Sequence, residues 1–256
     1  MNATARERYF GTAISPRTFE AWLAAIADAL GAGKRRHLSG HHNLHSLHLL
    51  HSDDAVAAFY RRCDDCYIDG VPVRLILAGF GERTSGADRF SLMDRFPDLL
   101  RAATARGWSL FYLGSAPEVV ATARRRIERE YPDLRITLHH GYFEEDAPVV
   151  AAINAERPDV LLVGMGMPKQ EAWLLANLDR LDVGWATQAG ATLDYFAGAQ
   201  ARPPGWMSRA GLAWLYRLAS DPARLWHRYL VEPWSLLPPT LRAWKTHRAT
   251  GPANDG

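Results

Sequence analysis

The chain has 256 residues, of which 48% are hydrophobic and 23% charged, a composition that excludes disordered, collagen-like and coiled-coil proteins. Thirty lysines and arginines against 28 acidic residues give a net charge of +2, too small to indicate nucleic acid as the main partner. The two cysteines cannot form a disulfide framework, so we expect a reducing, cytoplasmic environment. No apolar run approaches the roughly 18 residues of a membrane span, and residues 1–9 lack a signal-peptide core, so we expect neither a secreted nor an integral membrane protein.

The hydrophobic pattern predicts helices and strands that alternate along most of the chain. Helical spacing covers residues 17–30, 44–50 (after a loop over 36–43), 56–62, 92–106, 116–131, 147–156 and 169–181. Strand character covers residues 67–77 (around Val71 and Val73), 108–113, 134–138, 159–163 and 184–188, and a glycine-bearing loop covers 79–88. This alternation predicts an α/β, Rossmann-like fold with a mostly parallel sheet and flanking helices.

The residues after position 200 differ from the rest in charge and in aromatic content. Residues 202–248 carry a net charge of +6 against −4 for the remainder, and they hold five of the nine tryptophans. One interpretation is a helical element that faces anionic lipid. The other, which composition alone favours, is a helical layer that packs its aromatic side chains on the core. We divide the chain into an α/β core (1–200), an Arg/Trp-rich helical appendage (201–248) and a disordered tail (249–256).

Residues 159–171 contain the first candidate site, with the sequence Asp-Val-Leu-Leu-Val-Gly-Met-Gly-Met-Pro-Lys-Gln-Glu. A buried strand runs into Gly164 and Gly166, and Pro168 suits the first turn of the next helix. The free N–H groups of a helix N-terminus suit a phosphate or a uracil carbonyl. The glycine spacing matches neither a dinucleotide fingerprint nor a P-loop, so a tight turn without a ligand is an equally good interpretation.

Two other segments place single charged residues in predicted turns. Asp69, in Tyr67-Ile-Asp-Gly-Val-Pro-Val73, has the chemistry of a general base, although an aspartate before glycine is more often a turn residue. Arg83, in Gly81-Glu-Arg-Thr-Ser-Gly-Ala-Asp88, has the chemistry to close on a diphosphate, and the alternative is a polar surface loop.

Histidines and cysteines cluster between positions 37 and 66. Six of the ten histidines fall within 15 residues: His37, His41, His42, His45, His48 and His51. Three of them, at positions 41, 45 and 48, would share one face of a helix that began that early, which leaves a zinc site open. Ligand spacing does not support zinc, and a solvated tract is the commoner case. Cys63 and Cys66 have redox-motif spacing without a thioredoxin-like setting, and two packed thiols are the alternative.

The order of the motifs is more informative than any one of them. Asn43 is followed by Ile-Asp69-Gly70, Gly-Glu-Arg83-x-x-Gly86-x-Asp88, His-Gly141-Tyr142-Phe, Gly-Met-Gly-x-Pro-Lys-Gln-Glu171, Gly190-x-x-x-Asp194-x-x-x-Gly198, Arg202-x-Pro, Leu-x-Trp214-Leu-Tyr-Arg217 and Asp-Pro-x-Arg224-x-x-x-Arg228-Tyr. From about residue 43 to about residue 230, this order resembles the WecG/TagA/CpsF family, glycosyltransferase family 26. The Pro-Lys-Gln-Glu and Trp-Leu-Tyr-Arg elements are specific in combination.

The resemblance implies an inverting hexosyltransferase that uses no metal and no other cofactor. Members of that family move a hexose from a UDP-sugar donor to a sugar acceptor carried on a polyprenyl diphosphate, at the cytoplasmic face of the membrane. Their products are precursors of exopolysaccharides, capsules and teichoic acids. By the same resemblance the appendage completes the site and contacts an anionic membrane surface, so we expect a peripheral membrane protein. A homo-oligomer, in which a neighbouring subunit covers the appendage, stays open.

The resemblance also assigns roles to individual residues. Asp69 becomes the proposed base, and the donor site is lined by Asn43, Arg83, Gln170 and Asp194. The other matched positions complete the candidate substrate-binding set: Tyr142, Gly164, Gly166, Lys169, Glu171, Gly190, Arg202, Arg217, Arg224 and Arg228.

Two segments depart from the family pattern. Many members have threonine two residues before the asparagine, where this chain has His41, and the loop before Glu82-Arg83 is shorter here. His41 is therefore a further catalytic candidate, which either shares proton transfer, since imidazole titrates near neutral pH, or hydrogen-bonds the sugar. The altered segments favour a neutral hexose and exopolysaccharide assembly.

Inversion at an anomeric carbon requires a base beside the acceptor hydroxyl and positive charge beside the leaving UDP. We assign Asp69 as the base, and Arg83 with Arg202, Arg217 or Arg224 as the charge that replaces a metal. The pair Asp64-Asp65 forms no Asp-x-Asp motif, and we interpret it as surface or helix-end charge. A dehydrogenase is disfavoured because a third glycine and a later acidic residue are missing. The main alternative is a catalytically degenerate member that scaffolds a polysaccharide-synthesis complex.

Overall fold

The computed structural model describes residues 8–9, 12–80, 84–209 and 212–250. Two short strands, β1 (Arg8–Tyr9) and β2 (Thr12–Ala13), form an antiparallel pair. Six further strands form one parallel sheet: β3 (His37–His42), β4 (Asp65–Ile68), β5 (Ser109–Gly114), β6 (Arg135–His139), β7 (Val160–Gly164) and β8 (Trp185–Gln188). Their order across the sheet is β4-β3-β8-β7-β5-β6. The predicted Rossmann-like α/β architecture is confirmed.

Helices cover both faces of this sheet. They are α1 (Phe19–Gly31), α2 (Leu44–Ser52), α3 (Asp54–Arg62), α4 (Val71–Gly79), α5 (Leu92–Arg106), α6 (Pro117–Glu130), α7 (Asp146–Glu156), α8 (Lys169–Asn177) and α9 (Thr192–Ala197). One hydrophobic cluster joins the first face to α2, α3, α4, α7 and α8, and a second joins the other face to α1, α5, α6 and α9. Two buried layers therefore hold the sheet rigidly, which suits the positioning of side chains at its edge.

The strand predicted around Val71 and Val73 is wrong, because β4 ends at Ile68 and residues 71–79 form α4. The β-branched residues gave that segment its strand character. Two features favour a helix. Pro72 lies in the first turn, where its missing N–H costs nothing, and Val73 and Leu77 are buried on one face.

The loop predicted over residues 36–43 is also wrong, because His37–His42 form β3. Its sequence, His-Leu-Ser-Gly-His-His, has little intrinsic strand propensity. Pairing with β4 on one side and with β8 on the other imposes the extended form. His41 consequently lies on a strand, so it shares no helical face with His45 and His48.

Two interpretations from the cysteine region have different outcomes. Cys63 and Cys66 are free and buried, and a Cβ added at Gly40 would lie 3.0–3.1 Å from both sulfurs, so the two thiols are packed in the core. The assignment of Asp65 to surface or helix-end charge is wrong. Asp65 is buried in β4, and its carboxylate lies 2.6 Å from the Arg17 guanidinium. This ion pair supplies the partner that a buried charge needs.

The appendage is helical, as predicted. It comprises α10 (Gly205–Arg209), α11 (Ala213–Ser220), α12 (Pro222–Trp226), a π-helical turn (His227–Val231), α13 (Glu232–Ser235) and α14 (Leu237–Thr250). Because α14 continues to Thr250, the disorder predicted from residue 249 does not begin there, and residues 251–256 lie outside the described part of the chain. Among the described residues, no helix is long and apolar enough to cross a bilayer.

Two side-chain contacts dock α13 on α2. His45 Nδ1 lies 2.6 Å from the Glu232 carboxylate, and His48 Nδ1 lies 2.7 Å from the Ser235 hydroxyl oxygen. Glu232 is buried in this contact, and Leu225 and Leu236 are buried nearby in the same segment. Part of the histidine cluster therefore joins the appendage to the core.

Candidate active site

The candidate site lies at the carboxyl edge of the sheet, where β3, β4 and β8 end beside one another. Asn43 follows β3, Asp69 follows β4, and Gly190 follows β8 closely. The chain after β7 turns through Gly166, so four strand ends deliver loops to one edge. Ligands of open α/β sheets bind at this edge.

Two cavities meet at this edge. The inner cavity, of about 170 Å³, is lined by His41, Asn43, Tyr67, Asp69, Ser91, Leu92, Met93, Gly166, Met167, Gln170, Ala189, Gly190, Ala191, Tyr195, Gln200, Arg217, Leu225, Arg228 and Tyr229. The outer cavity, of about 340 Å³, is lined by Asn43, Leu44, His45, Asp69, Gly70, Val71, Pro72, Arg89, Ser91, Met93, Asp94, Pro203, Ala213, Trp214, Arg217, Arg228, Tyr229 and Pro233. The appendage supplies part of both walls.

Asp69 belongs to the wall of both cavities. Its backbone N–H donates to the carbonyl of His42 at 2.9 Å, which extends the pairing of β3 and β4 by one residue. Its side chain is 17% exposed, so the carboxylate is reachable without being fully hydrated. A carboxylate between two connected chambers has access to ligands in each.

His41 is a titratable neighbour of Asp69. Its Nε2 lies 3.9 Å from Asp69 Oδ2, which is longer than a hydrogen bond. Burial lowers the pKa of the His41 imidazole, against the opposing effect of the Asp69 charge, so the ring is neutral at neutral pH. The backbone of His41 is fixed on both sides, by Gln188 Oε1 at 2.8 Å and by the Tyr60 hydroxyl at 2.8 Å.

Asn43 is held by helix capping. Its Oδ1 accepts from the N–H of Ser46 at 3.0 Å, and its own N–H donates to the Ser46 hydroxyl at 2.9 Å. This reciprocal capping box begins α2 and occupies the amide oxygen. The side-chain amide nitrogen remains the group with which Asn43 can meet a ligand.

Gln170 connects α8 to the loop after β8. It is fully buried, its Oε1 accepts from the Gly190 N–H at 3.1 Å, and its Nε2 donates to Glu171 at 3.0 Å. Gly166 and Gly190 have φ of +78° and +54°, which favours glycine at these two turns. Gly164 has a different constraint, since a Cβ there would lie 2.0 Å from the Tyr112 hydroxyl.

Glu171 lines neither cavity and is fully buried. Its Oε1 accepts from Gln170 and Gln188, and its Oε2 has no partner. Burial raises the pKa of the Glu171 carboxyl to about 7, against these hydrogen bonds. The residue therefore supports the two glutamines beneath the site and titrates near neutral pH.

Glu171→Gln is expected to stabilise the protein selectively at alkaline pH. The native carboxyl has a pKa of about 7 against 4.5 unfolded, so the unfolded state releases its proton first. The free energy of unfolding therefore falls as the pH rises from 4.5 to 7, and the loss stays constant above pH 7. A glutamine keeps both hydrogen bonds without the charge, so the gain at pH 8 should be at most roughly 3 kcal/mol.

Denaturant unfolding of both proteins between pH 5 and pH 9 measures this effect, because the difference between the two curves isolates residue 171. A difference that stays constant over this pH range would contradict the elevated pKa.

Two arginines of the appendage line both cavities. Arg217, on α11, packs 5.3 Å from the Tyr195 ring centroid, and Arg228 lies in the π-helical turn. Burial lowers the pKa of the Arg228 guanidinium, and the charge of Arg217 acts in the same direction. In the inner cavity these two cations face one carboxylate, Asp69, so the site carries excess positive charge. Such a site suits an anion.

Four further predicted residues, Tyr142, Lys169, Asp194 and Arg202, do not line either cavity. Tyr142 is 68% exposed, and Lys169 Nζ donates to the Gly141 carbonyl at 3.0 Å. Asp194 accepts from the Ser115 hydroxyl at 2.7 Å, and Arg202 is exposed beside the outer cavity's Pro203. Arg83, and the side chain of Arg224, lie outside the described part of the structure.

Several residues line the inner cavity without having been predicted, and Tyr67, Ser91 and Tyr229 are among them. Tyr67 and Ser91 line it from the core, and Tyr229 lines it from the appendage. Tyr67 directly precedes the matched Ile-Asp69-Gly70 motif, and Tyr229 is the last residue of the matched motif that contains Arg228, so both could have been found from these motifs. Ser91 precedes a predicted helix, and no motif in the sequence pointed to it. Among the residues placed by the structure, no group of three or more His, Cys, Asp and Glu side chains is suited to hold a metal ion.

Sequence comparison agrees with the motif order. The model of the glycosyl transferase WecG/TagA/CpsF family matches residues 7–250. The chain belongs to this family. Within the WecG/TagA/CpsF family, the N-acetylglucosaminyldiphosphoundecaprenol N-acetyl-beta-D-mannosaminyltransferases of Staphylococcus aureus strains MW2 and NCTC 8325 / PS 47 are 33% identical over 140 residues. The corresponding enzyme of strain MRSA252 is 32% identical.

The aligned region covers 54% of this chain and 55% of each relative. The chain therefore matches about half the length of these curated relatives. Of the residues that the WecG/TagA/CpsF resemblance assigned, Asn43, Asp69 and Gln170 meet at the inner cavity. Asp194 lies nearby on α9 but contacts Ser115 instead.

Proposed function

We propose that this protein is an inverting glycosyltransferase that moves a hexose from a UDP-sugar to a sugar on a polyprenyl diphosphate. The observation that carries the proposal is the position of Asp69, in the wall shared by two cavities that are lined by half-buried arginines. A bimolecular transfer needs two adjoining binding chambers and a base between them. The name of the relatives gives an N-acetyl-beta-D-mannosaminyl group as what they transfer and N-acetylglucosaminyldiphosphoundecaprenol as the acceptor, which supports the transfer of a hexose to this kind of acceptor.

The inner cavity is the proposed donor site. It lies at the strand ends of the α/β core, α8 begins beside it, and its two arginines exceed its one carboxylate in charge. A nucleoside diphosphate supplies the negative charge that such a cavity lacks. Residues 1–200 thus form the nucleotide-sugar-binding core, and the appendage closes it.

The outer cavity is the proposed acceptor site. Its wall combines three arginines, Arg89, Arg217 and Arg228, with apolar groups such as Trp214 and Pro233. An acceptor that joins a diphosphate to an isoprenoid chain needs both kinds of contact. The outer cavity lies between the core and the appendage, so a long lipid tail bound there can extend out of it towards the appendage surface.

The proposed reaction uses these groups in one displacement. Asp69 takes the proton of the acceptor hydroxyl, whose oxygen forms a bond to the anomeric carbon on the face opposite UDP. The bond from that carbon to the phosphate oxygen breaks, and UDP leaves with the electron pair. Arg217 and Arg228 stabilise the charge that develops on the diphosphate. His41, with Nε2 3.9 Å from Asp69, shares the proton through its neutral imidazole.

The appendage is the proposed contact with the inner membrane surface. Of the eleven large hydrophobic side chains that are exposed in the described chain, nine lie between positions 206 and 241. The segment 202–248 also carries the net charge of +6. Exposed indoles and leucines beside cations match the chemistry of an anionic lipid interface.

Replacing Trp226 and Trp234 together by alanine is expected to lower the affinity for anionic vesicles by at least about 10-fold, since two half-exposed indoles lose their burial in lipid. Sedimentation with phosphatidylglycerol-containing vesicles measures it. Tyr142→Ala is the matched control, because it removes a ring of similar exposure near β6, at the far edge of the sheet. Equal binding by all three proteins would contradict membrane contact through the appendage.

A donor screen tests the proposed function directly. Purified protein is incubated with each of several UDP-hexoses and a short-chain polyprenyl-diphosphate-linked N-acetylglucosamine, and the products are read by mass. We expect one donor to yield a product heavier by one hexosyl residue. A protein that binds the substrates but forms no product with any donor is instead the degenerate scaffold.

A further inference from the structure

The inner cavity gathers buried polar atoms that have no partner in the protein. Ten buried side-chain atoms in the described part of the chain lack a hydrogen bond, and four belong to this cavity's wall. They are Tyr67 OH, Ser91 Oγ, His41 Nδ1 and Arg217 Nε. Each such atom lowers the stability of the fold unless a ligand or water satisfies it. Four at one cavity therefore indicate groups arranged to meet a ligand.

The Tyr67 ring is fixed while its hydroxyl stays free. It lies on β4 directly opposite His41 of β3, and its ring stacks on Phe90 at 4.1 Å with an interplanar angle of 11°. Trp22 packs against it at 5.8 Å, and only 1% of the residue is exposed. A buried tyrosine hydroxyl usually finds a partner. Here the aromatic packing holds it beside the cavity without one.

Ser91 shows the same pattern at a helix end. It is the N-cap residue of α5, a position where a serine hydroxyl normally accepts from the first free N–H groups. Its side chain makes no such bond, and its hydroxyl is buried without a partner. The backbone carbonyl of Ser91 accepts from Asp94 instead, at 3.1 Å. The hydroxyl is thus left without a protein partner in a residue that lines the cavity.

We propose that the hydroxyls of Tyr67 and Ser91, with His41 Nδ1, recognise the hydroxyl groups of the transferred sugar and select a neutral hexose. This inference rests on the proposed function for the identity of the ligand. Hydroxyl and imidazole groups both donate and accept, so they match sugar hydroxyls, whose donors and acceptors alternate around the ring. All three are uncharged and share the cavity with the Asp69 carboxylate, while the two arginines of the cavity are taken up by the diphosphate. A uronate beside these three groups therefore meets the like charge of Asp69 without a cation of its own. Arg217 Nε, the fourth free group, remains for the diphosphate.

Calorimetric affinities for UDP and for a panel of UDP-sugars test the proposal without requiring turnover. The panel contains UDP-glucose, UDP-galactose, UDP-N-acetylglucosamine and UDP-glucuronate. The wild-type protein should bind at least one UDP-sugar with a neutral sugar more tightly than it binds UDP. It should bind UDP-glucuronate less tightly than the best neutral donor. Tyr67→Phe and Ser91→Ala should each reduce the added affinity by about 3–10-fold and leave UDP itself unchanged.

Monodeoxy analogues of the best neutral donor sharpen the result. In each variant the penalty for removing one particular sugar hydroxyl should disappear, because the partner of that hydroxyl is already gone. Tyr131→Phe is the matched control, since Tyr131 follows α6 and lines neither cavity. Thermal melting of each variant shows that the fold is kept.

The outcomes separate this inference from the proposed function. Added affinity that depends on Tyr67 and Ser91, in a protein that transfers no sugar, would sustain the sugar site and overturn the transferase. Transfer by a protein whose discrimination is untouched by both substitutions would overturn the sugar site alone. Tighter binding of UDP-glucuronate than of any neutral donor, or no gain over UDP from any sugar, would also overturn it.

Discussion

Asp69→Asn is expected to lower the rate of sugar transfer by about 10²–10⁴-fold, the usual contribution of a general base. Asparagine has the same shape and keeps the backbone bond to the His42 carbonyl, but its amide takes no proton. Because the base acts on the acceptor and not on the nucleotide, the affinity for UDP should stay close to that of the wild type. The loss should therefore appear in kcat and not in UDP binding.

Single-turnover transfer from a labelled UDP-sugar measures the rate, and calorimetry measures the affinity for UDP. Asp133→Asn is the matched control, because Asp133 is exposed and lies in neither cavity wall. Full activity of the Asp69 variant on a lipid-linked acceptor would remove Asp69 from the role of base. A loss of UDP binding in the same variant would assign it to the donor site instead.

Arg217→Gln and Arg228→Gln are each expected to slow transfer by about 10²–10³-fold, as the loss of one preorganised charge-stabilising group does elsewhere. Both guanidinium groups line the two cavities, and glutamine retains much of the side-chain length without the charge. UDP affinity should fall as well, but less than the rate, because negative charge on the diphosphate grows as the sugar leaves.

Lys245→Gln provides the charge-matched control for these variants, since Lys245 is an exposed cation on α14 of the same appendage. Transfer rates at low and moderate ionic strength separate a local effect from a change in the overall field, which salt screens. If the Arg217 and Arg228 variants lose no more activity than the Lys245 variant, these arginines are not the groups that stabilise the leaving diphosphate.

The sequence allowed most of the fold to be predicted where burial dominates. The strand predicted over residues 159–163 is wholly apolar after Asp159 and was found within one residue, as were the helices over residues 92–106 and 147–156. The two failures arise where tertiary contacts override local propensity. β3 has a histidine-rich sequence but lies between two neighbouring strands, and the valines of α4 are buried on one face of a helix.

The candidate site could be predicted only in part, because motif order does not report side-chain direction. Asn43, Asp69 and Gln170 meet at the inner cavity, while Glu171 of the same motif as Gln170 points into the core. In a helix, consecutive residues point about 100° apart, so one short motif serves both the cavity and its support. Ser91 could not be found at all, since only the missing cap bond distinguishes it from any other serine before a helix.

Transfer in the presence of a chelator tests most directly whether protein cations, and not a divalent ion, make the diphosphate a leaving group. The wild-type protein, freed of metal and kept in EDTA, is given its preferred UDP-sugar and a polyprenyl-diphosphate-linked acceptor, and the product is analysed by mass and by the anomeric NMR coupling. We expect an unchanged rate and a glycosidic bond of inverted configuration. A rate that collapses in EDTA and returns with Mg²⁺ or Mn²⁺, or a product of retained configuration, would contradict it.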